Sequence, residues 1–175
     1  TELASIIYGA RMKEGGETWI EGQRREIHSP DQAIEYGIGL IPEDRKHQGC
    51  ILNASVHFNI SLSTFNKNAR FFVVNAKAQK KTAAYYVEKF NIKTPSMEQR
   101  VRNLSGGNQQ KVILAKTLAA NTNILIFDEP TRGIDVGSKQ EIYNLRIDLV
   151  NQGKAIIMIS SDMEELLGMS DRLIV

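Results

Sequence analysis

The chain has 175 residues, of which 42% are hydrophobic and 24% charged, a composition typical of a globular protein with its own core. Its formal net charge of +2 is carried by scattered lysines and arginines, so we expect no nucleic-acid partner. No apolar run approaches the roughly 18 residues of a membrane span, so we expect no direct membrane insertion. Cys50 is the single cysteine, which excludes an internal disulfide.

The first 50 residues contain patterns of both helices and strands. The apolar spacing of residues 2–9 predicts a helix, and the alternation of residues 17–23 predicts a strand of an antiparallel sheet. Ser29 followed by Pro30 is a typical helix start, because serine caps a helix and proline fits its first turn. Residues 38–41 then predict a short buried strand.

The pattern changes in residues 51–103, where long apolar strands are missing and helical segments prevail. We therefore predict a helical subdomain at 51–103. It would be inserted into an α/β core that is formed by residues 1–50 and 104–175.

Helices and buried strands alternate regularly after Leu104. The strands are almost wholly apolar, as in a sheet that helices cover on both faces, so the alternation predicts a mostly parallel sheet. Ser138 and Glu141 have the spacing of a capping box at a helix start. The predicted elements are helix 108–120, strand 123–128, a helix from Ser138, strand 155–159, helix 163–168 and strand 172–175.

Two carboxylates, Asp128 and Glu129, stand at the end of the apolar strand predicted at 123–128. Ligands of open parallel sheets bind beyond the carboxyl ends of the strands. Asp128 is therefore placed to bind Mg²⁺, and Glu129 to take a proton from an attacking water or to orient that water. The alternative is that the two acids are simply solvated at the strand end.

A second candidate site is the segment from Ser105 to Gly107, which precedes the predicted helix 108–120. Its hydroxyl and unobstructed N–H groups, together with the helix dipole, favour a phosphate oxygen as ligand. In the alternative, the serine only caps the helix and the glycines form a turn. A further acid, Asp135, precedes the next helix, where it competes with Ser138 for the capping position.

Three motifs follow one another in this order: LSGGNQQK at 104–111, FDEPT at 127–131 and GID at 133–135. Together they resemble the signature motif, the Walker B motif with its glutamate, and the D-loop of the ATP-binding cassette (ABC) ATPases. These variants, with IPEDRKHQG at 41–49, look like the second cassette of sugar importers of the ribose, galactose and xylose type. The resemblance covers essentially the whole chain and implies a P-loop NTPase-like α/β fold.

The resemblance implies that two cassettes face each other with ATP between them. Each ATP would lie between the Walker motifs of one cassette and the signature motif of the other. Ser105, Gly106 and Gly107 would then contact the γ-phosphate of an ATP that a partner cassette holds. Gln109 would lie near the ribose of that nucleotide.

The resemblance also implies roles at the ATP site of this cassette itself. Asp128 would bind Mg²⁺, and Glu129 would be the catalytic carboxylate. Thr1 would match the Mg²⁺-binding hydroxyl that ends the Walker A motif, and Asp135 would connect the two sites across the interface. The implied cofactors are ATP and Mg²⁺.

The chain departs from the family pattern at three points. The 175 residues contain no Gly-x-x-x-x-Gly-Lys-Ser/Thr loop, the usual phosphate cradle. Glu43 is the nearest match to a glutamine that usually contacts Mg²⁺ and water. The segment from Ser160 to Asp162 replaces a histidine that usually contacts the γ-phosphate, and Asp162 with Glu165 also fits a helix cap.

The resemblance implies a subunit that hydrolyses ATP to drive monosaccharide import. It would act with a membrane permease, peripherally, on the cytoplasmic face of the bacterial inner or plasma membrane. One alternative is a non-catalytic cassette that only clamps the ATP of its partner. Another is a DNA-repair or chromosome ABC ATPase, which the short 51–103 segment disfavours because it lacks the sustained heptads of a coiled-coil arm.

The lack of a phosphate-binding loop leads to a prediction for residues 1–175 on their own, which we expect to be a fragment of a longer protein. Without the N–H groups of that loop the phosphates are poorly held, so we expect very weak MgATP binding and no turnover. Isothermal titration calorimetry measures the affinity, and a micromolar dissociation constant would contradict the prediction.

Overall fold

The computed structural model describes residues 1–64, 69–70 and 73–174. It contains helices and strands along its whole described length, with three short helical turns of other types between them. In chain order the described elements are α1 Glu2–Ile7, β1 Thr18–Ile20, β2 Gln23–Arg25, α2 Pro30–Glu35, β3 Ile38–Ile41, a π-helical turn Arg45–Gly49, α3 Val56–Ser61, a 3-10 turn Leu62–Thr64, β4 Ala69–Arg70, β5 Val73–Val74, α4 Ala76–Lys89, a 3-10 turn Val101–Asn103, α5 Gly106–Ala119, β6 Ile124–Asp128, α6 Val136–Asn151, β7 Ala155–Ile159 and α7 Met163–Met169.

The centre of the fold is a parallel sheet in which β6 lies between β3 and β7. Phe127 pairs with Ile41 on one side and with Met158 on the other, so the three strands end at nearly the same level. The loops that follow them therefore meet at one edge of the sheet. This confirms the predicted parallel arrangement, and it brings together the segments that carry Glu43, Glu129 and Ser160.

The strand predicted at 17–23 is in fact a hairpin. Strands β1 and β2 pair antiparallel, with Trp19 opposite Arg24. The chain reverses at Glu21 and Gly22, which both have positive φ, at 52° and 74°. The antiparallel pairing was predicted correctly, but the turn was missed because glutamate seldom adopts a left-handed conformation.

Helix α5 is the most deeply buried of the described helices. It packs between the central sheet and the segment that precedes the helix in the chain. It contributes Ile113 and Leu114, each at most 1% exposed, to the larger apolar cluster. The same cluster holds Val56 and Phe90 from the predicted helical subdomain together with Phe127 from β6. The boundary at 51–103 stays a prediction, and the apolar side chains on its two sides form one continuous core.

A second, smaller apolar cluster covers the sheet from the side of α1 and α2. It contains Ala4 from α1, Ala33 from α2 and Ile126 from β6. Ser29 begins α2 as predicted, since its hydroxyl accepts a hydrogen bond of 3.3 Å from the Gln32 N–H. Helices on both faces of the central strands explain why β6 is apolar on both sides.

Helix α6 begins differently from the prediction. Asp135 is the capping residue, and its carboxylate accepts a hydrogen bond of 2.9 Å from the Ser138 N–H. The capping box of Ser138 and Glu141 is therefore wrong. Glu141 points to α5 instead, where it accepts a hydrogen bond of 2.6 Å from the buried Lys111 ammonium. Burying that ammonium requires a carboxylate partner, which outweighs a local capping contact.

Two further boundaries differ from the predictions at the ends of elements. Helix α5 begins at Gly106, two residues before the predicted start, because Ser105 caps it. The predicted strand 172–175 is not a strand over its described residues 172–174, and Val175 lies outside the described residues. Among the residues that the structure describes, no helix has the length and apolarity needed to cross a membrane.

The close packing of β3 on α5 gives a stability prediction for Gly39. A Cβ at this position would lie 2.2 Å from the Thr117 Cγ2 atom, so Gly39→Ala overpacks the interface. We expect it to lower the free energy of unfolding by about 1–3 kcal/mol. Thr117→Ser removes that methyl and keeps the hydroxyl that bonds the Ile113 carbonyl. A urea-unfolding double-mutant cycle measures the coupling, and additive effects of the two changes would contradict the packing explanation.

Candidate functional site

Three oxygen-bearing side chains come together at the carboxyl edge of the sheet. The Thr1 hydroxyl lies 3.1 Å from Oδ1 of Asp128 and 3.2 Å from Oε2 of Glu43. Thr1 precedes α1, Glu43 follows β3, and Asp128 ends β6, so each comes from a different part of the chain. The structure therefore brings together the two residues that were predicted to bind Mg²⁺, with Glu43 beside them.

Arg132 closes this cluster from the loop after β6. Its guanidinium forms an ion pair with the Glu43 carboxylate, which is itself half-buried. The pair connects the loop after β3 with the loop after β6. Sequence reasoning did not single out Arg132, and only its place two residues after a Walker-type Asp-Glu-Pro could have suggested it.

The donor set at this edge fits Mg²⁺, which prefers carboxylate and hydroxyl oxygens and keeps several non-protein ligands. The part of the chain that the structure describes contains no group of three or more His, Cys, Asp or Glu side chains that could hold a metal by themselves. A cation held by Thr1 and Asp128 would thus take its remaining ligands from water and phosphate oxygens. Such sharing is usual where Mg²⁺ is bound with a nucleotide.

Glu129 follows Asp128 in a strained backbone conformation. Its φ is +46°, in the left-handed region, and its N–H donates to the Ile159 carbonyl at 2.9 Å. Left-handed backbone is unfavourable for residues with a Cβ and tends to occur at functional sites. The conformation points the Glu129 side chain toward the loop after β7.

Ser161 holds the Glu129 carboxylate by two hydrogen bonds. The Ser161 N–H donates to Oε1 at 2.7 Å, and the Ser161 hydroxyl lies 3.2 Å from Oε2. Ser161 belongs to the segment that replaces the expected histidine. Sequence reasoning missed this contact, and only the position of Ser161, two residues after the end of β7, could have suggested it.

Asp162 caps helix α7, as one of the two interpretations of its sequence position predicts. Its Oδ1 accepts hydrogen bonds from the Glu164 and Glu165 N–H groups, at 3.1 and 3.2 Å. Its second oxygen lies 3.6 Å from the Lys139 ammonium. The reciprocal arm of a capping box is wrong, because the Glu165 carboxylate is directed away from Asp162 and into the interior.

The segment from Ser105 to Gly107 lies at the start of α5. The Ser105 hydroxyl accepts from the Asn108 N–H at 3.4 Å and from the Asn108 Nδ2 at 2.9 Å, while the residue itself stays exposed. Gly106 and Gly107 are the first two residues of the helix. The N–H groups of the first turn of a helix have no acceptor within the helix. The segment thus combines a helix cap with N–H groups that suit an anion.

Packing requires glycine at position 107 of this segment, whereas position 106 has room for a Cβ at an ordinary contact distance. A Cβ on Gly107 would lie 2.6 Å from the Ser138 side chain on α6, and a Cβ on Gly106 would lie 3.4 Å from the Gly133 carbonyl. Helices α5 and α6 therefore begin side by side. Asp135, which caps α6, has a pKa below its usual value because the Ser138 N–H and hydroxyl bond its carboxylate.

Gln109 faces the interior. It is 8% exposed, and its Nε2 donates to the Val101 and Leu104 carbonyls, each at 3.2 Å. These bonds anchor the chain before α5 to the helix. A contact of Gln109 with a ribose stays a prediction, and the geometry gives the side chain a structural task of its own.

The predicted site residues thus form two separate groups within the described residues. Thr1, Glu43, Asp128 and Glu129 lie along the edge of the sheet, with Ser161 beside them. No hydrogen bond or ion pair of the described residues joins Ser105, Gly106 or Gly107 to that group. The structure therefore keeps the predicted Mg²⁺ site and the signature segment apart within the chain.

Solved structures of ATP-binding cassettes share this fold. A nucleotide-free cassette from an ABC transporter gives a TM-score of 0.82 at 18% identity, covering 97% of this chain and 69% of that one. A dimeric cassette in a post-hydrolysis state, bound to ADP and Pi, gives 0.73 at 21% identity, covering 93% and 70%. The fold is therefore that of an ATP-binding cassette, a P-loop type of α/β fold.

The family model described as ABC transporter matches residues 1–132. Because this is more than half of the chain, the protein belongs to the ABC transporter family. The family and the fold class inferred from the motifs are confirmed. The roles of individual site residues stay predictions.

The chain is similar to curated sugar import ATP-binding proteins. It is 49% identical to a xylose import ATP-binding protein of Moorella thermoacetica and 52% identical to a ribose import ATP-binding protein of Clostridium perfringens. An arabinose import ATP-binding protein of Mannheimia succiniciproducens is 48% identical. Each alignment covers 100% of this chain and 35% of the relative, so the chain spans about a third of the length of these proteins.

The capping contact of Asp162 predicts how its variants differ. Asp162→Ala removes the acceptor of two helix N–H groups and should lower the free energy of unfolding by about 1 kcal/mol. Asp162→Asn keeps a capping oxygen and should stay close to wild type. Chemical denaturation measures both, and the MgATP affinity of the full-length protein should change less than about twofold in either variant. A large change of affinity in Asp162→Asn would show that the residue serves the nucleotide rather than the helix.

Proposed function

We propose that the chain is part of an ATP-binding and ATP-hydrolysing subunit of a monosaccharide ABC importer. The observation that carries the proposal is the meeting of Thr1, Asp128 and Glu129 at the carboxyl edge of one parallel sheet. Hydroxyl and carboxylate oxygens there suit Mg²⁺, and a neighbouring carboxylate suits the orientation of an attacking water. Phosphoryl transfer to water needs this kind of positioning and charge stabilisation more than covalent help.

In this proposal Asp128 and Thr1 hold the Mg²⁺ of the ATP at this cassette's own site, and Glu43 lies next to them. When bound, Mg²⁺ neutralises phosphate charge that these side chains alone could not. Glu129, fixed by Ser161, accepts the proton of the water or orients it. The half-buried position of Glu129 supports this role, because a carboxylate with restricted solvent contact is held in one orientation.

The signature segment serves the other half of the proposal. Ser105, Gly106 and Gly107 close the ATP site of a second cassette, which lies in the same full-length chain or in a dimer mate. Their separation from Thr1, Glu43, Asp128 and Glu129 supports this division, and so does the existence of a dimeric solved cassette bound to ADP and Pi. Gln109 supports the segment from within, and Asp135 lies where α5 and α6 begin side by side.

The substrate class rests on the relatives. Proteins named for xylose, ribose and arabinose import are 48–52% identical to this chain, so their names agree on a monosaccharide and not on one sugar. We infer a permease as membrane partner and a peripheral position on the cytoplasmic face. The motif variants favour the second cassette of such a subunit.

A non-catalytic cassette is the second candidate function, and the hydrogen bonds of Glu129 favour it. Both carboxylate oxygens of Glu129 already accept hydrogen bonds from Ser161, which lies in the segment that replaces the expected histidine. In this case Glu129 would be idle, and the chain would serve only through Ser105 to Gly107.

Two variants of the full-length protein separate the candidates. Ser105→Arg should lower ATP turnover by about 10²-fold or more, because it obstructs the phosphate contact of the signature segment. Glu129→Gln should lower turnover by a similar factor while MgATP binding persists, since the amide cannot accept a proton. Coupled phosphate-release assays and nucleotide-binding titrations measure both. Wild-type turnover in Glu129→Gln, with loss in Ser105→Arg, would favour the non-catalytic cassette.

A further inference from the structure

Arg146 and Glu165 form an ion pair in the interior, outside the group of residues assigned to ATP. The Arg146 Nη2 lies 2.9 Å from Oε1 of Glu165, and the two side chains are only 3% and 1% exposed. Burying two charges costs several kcal/mol of desolvation per ion, so such a pair contributes little net stability. What distinguishes this pair is the set of groups that its other contacts hold in place.

Arg146 is fixed by the elements around it. Its guanidinium lies 4.9 Å from the ring centroid of Tyr143 on α6 and 5.9 Å from that of Phe127 on β6. It also contacts the Met158 sulfur on β7. Burial lowers the pKa of Arg146, and the neighbouring Glu165 opposes this effect. The cation is therefore immobilised where α6 packs on the sheet, and it fixes the Glu165 carboxylate in turn.

The second oxygen of Glu165 joins two loops of the candidate site. Oε2 accepts hydrogen bonds from the Thr131 hydroxyl at 3.0 Å and from the Ser160 hydroxyl at 2.9 Å. Thr131 lies two residues after Glu129, in the loop after β6. Ser160 is the first residue after β7. One carboxylate oxygen thus holds together the loops that follow neighbouring strands.

The Ser160 end of this network continues to Glu129. The Ser160 hydroxyl also accepts from the Asp162 N–H at 3.1 Å, which fixes the turn on both sides of Ser161. Ser161 in turn donates its N–H and hydroxyl to the Glu129 carboxylate. The orientation of Glu129 therefore depends on a turn whose position Glu165 determines.

We propose that Glu165, oriented by Arg146, is a positioning residue that fixes the turn of Ser160 and Ser161 against the Glu129 carboxylate. Its importance for turnover rests on the proposed catalytic role of Glu129. Glu165 touches neither nucleotide nor water in this proposal and acts only through the loops after β6 and β7. A purely structural pair would support α6 and α7 without affecting the turn.

Two double variants of the full-length protein separate positioning from folding. Arg146→Met with Glu165→Gln removes both charges but keeps an oxygen that can accept from Thr131 and Ser160. Arg146→Met with Glu165→Met removes the charges and the acceptor. Neither variant leaves an unpaired buried charge, and the two side chains at position 165 are of similar length. Thermal melting checks that both variants are folded.

The first measurement is hydrogen–deuterium exchange of the peptide that covers residues 160–165. Exchange reports local opening, so its rate in the Met/Met variant should exceed that in the Met/Gln variant by about fivefold or more. Peptides from α6 should exchange alike in both. The second measurement is ATP turnover. The kcat of the Met/Met variant should be about tenfold lower than that of the Met/Gln variant, and the two KM values for ATP should agree within about twofold. The reason is that displacing a catalytic group lowers the rate of the reaction without weakening substrate binding.

The outcomes separate this inference from the proposed function. Equal exchange of the 160–165 peptide in the two variants would overturn the role of Glu165. Faster exchange in the Met/Met variant with the same kcat in both variants would overturn the effect of Glu165 on turnover, provided that Glu129→Gln is inactive. If Glu129→Gln turns over ATP like wild type, the proposed catalytic role is wrong, and the exchange comparison alone decides whether Glu165 fixes the turn.

Discussion

The whole arrangement depends on the register of three parallel strands. Because Ile41, Phe127 and Met158 pair side by side, β3, β6 and β7 end at the same edge of the sheet. Asp128 ends β6, Glu43 and Glu129 follow their strands at that edge, and Thr1 reaches it from the start of α1. A shift of one residue in any strand would exchange the side chains that pack on its two faces and displace its loop at the site. The core and the site are therefore specified by the same backbone pairing.

Much of this fold could be predicted from local patterns. The apolar runs at β3, β6 and β7 and the serine caps of α2 and α5 depend on a few neighbouring residues, which the sequence displays directly. The carboxylates after β6 could be placed at the sheet edge because parallel strands share one. The order of the motifs then indicated the family, which no single motif could have done.

The features that sequence reasoning missed depend on partners far along the chain. Glu141 has capping-box spacing, yet the buried Lys111 on another helix takes its carboxylate. Glu165 has the spacing to complete the cap with Asp162, yet it pairs with Arg146 in the interior. In both cases, leaving a buried cation without a countercharge would cost more free energy than leaving a helix end without a second capping contact. The spacing of neighbouring residues contains no information about contacts with residues far along the chain. The contacts of Arg132 and Ser161 were missed for the same reason.

The left-handed backbone of Glu129 has a consequence for how this cassette can change. Glycine adopts a φ of +46° freely, whereas the same conformation costs a residue with a Cβ roughly 1–2 kcal/mol. A substitution of glutamate by glycine at this position would relieve backbone strain, but it would also remove the carboxylate to which Ser161 donates two hydrogen bonds. Under the proposed catalytic role of Glu129, backbone stability and activity are therefore in conflict at this one residue.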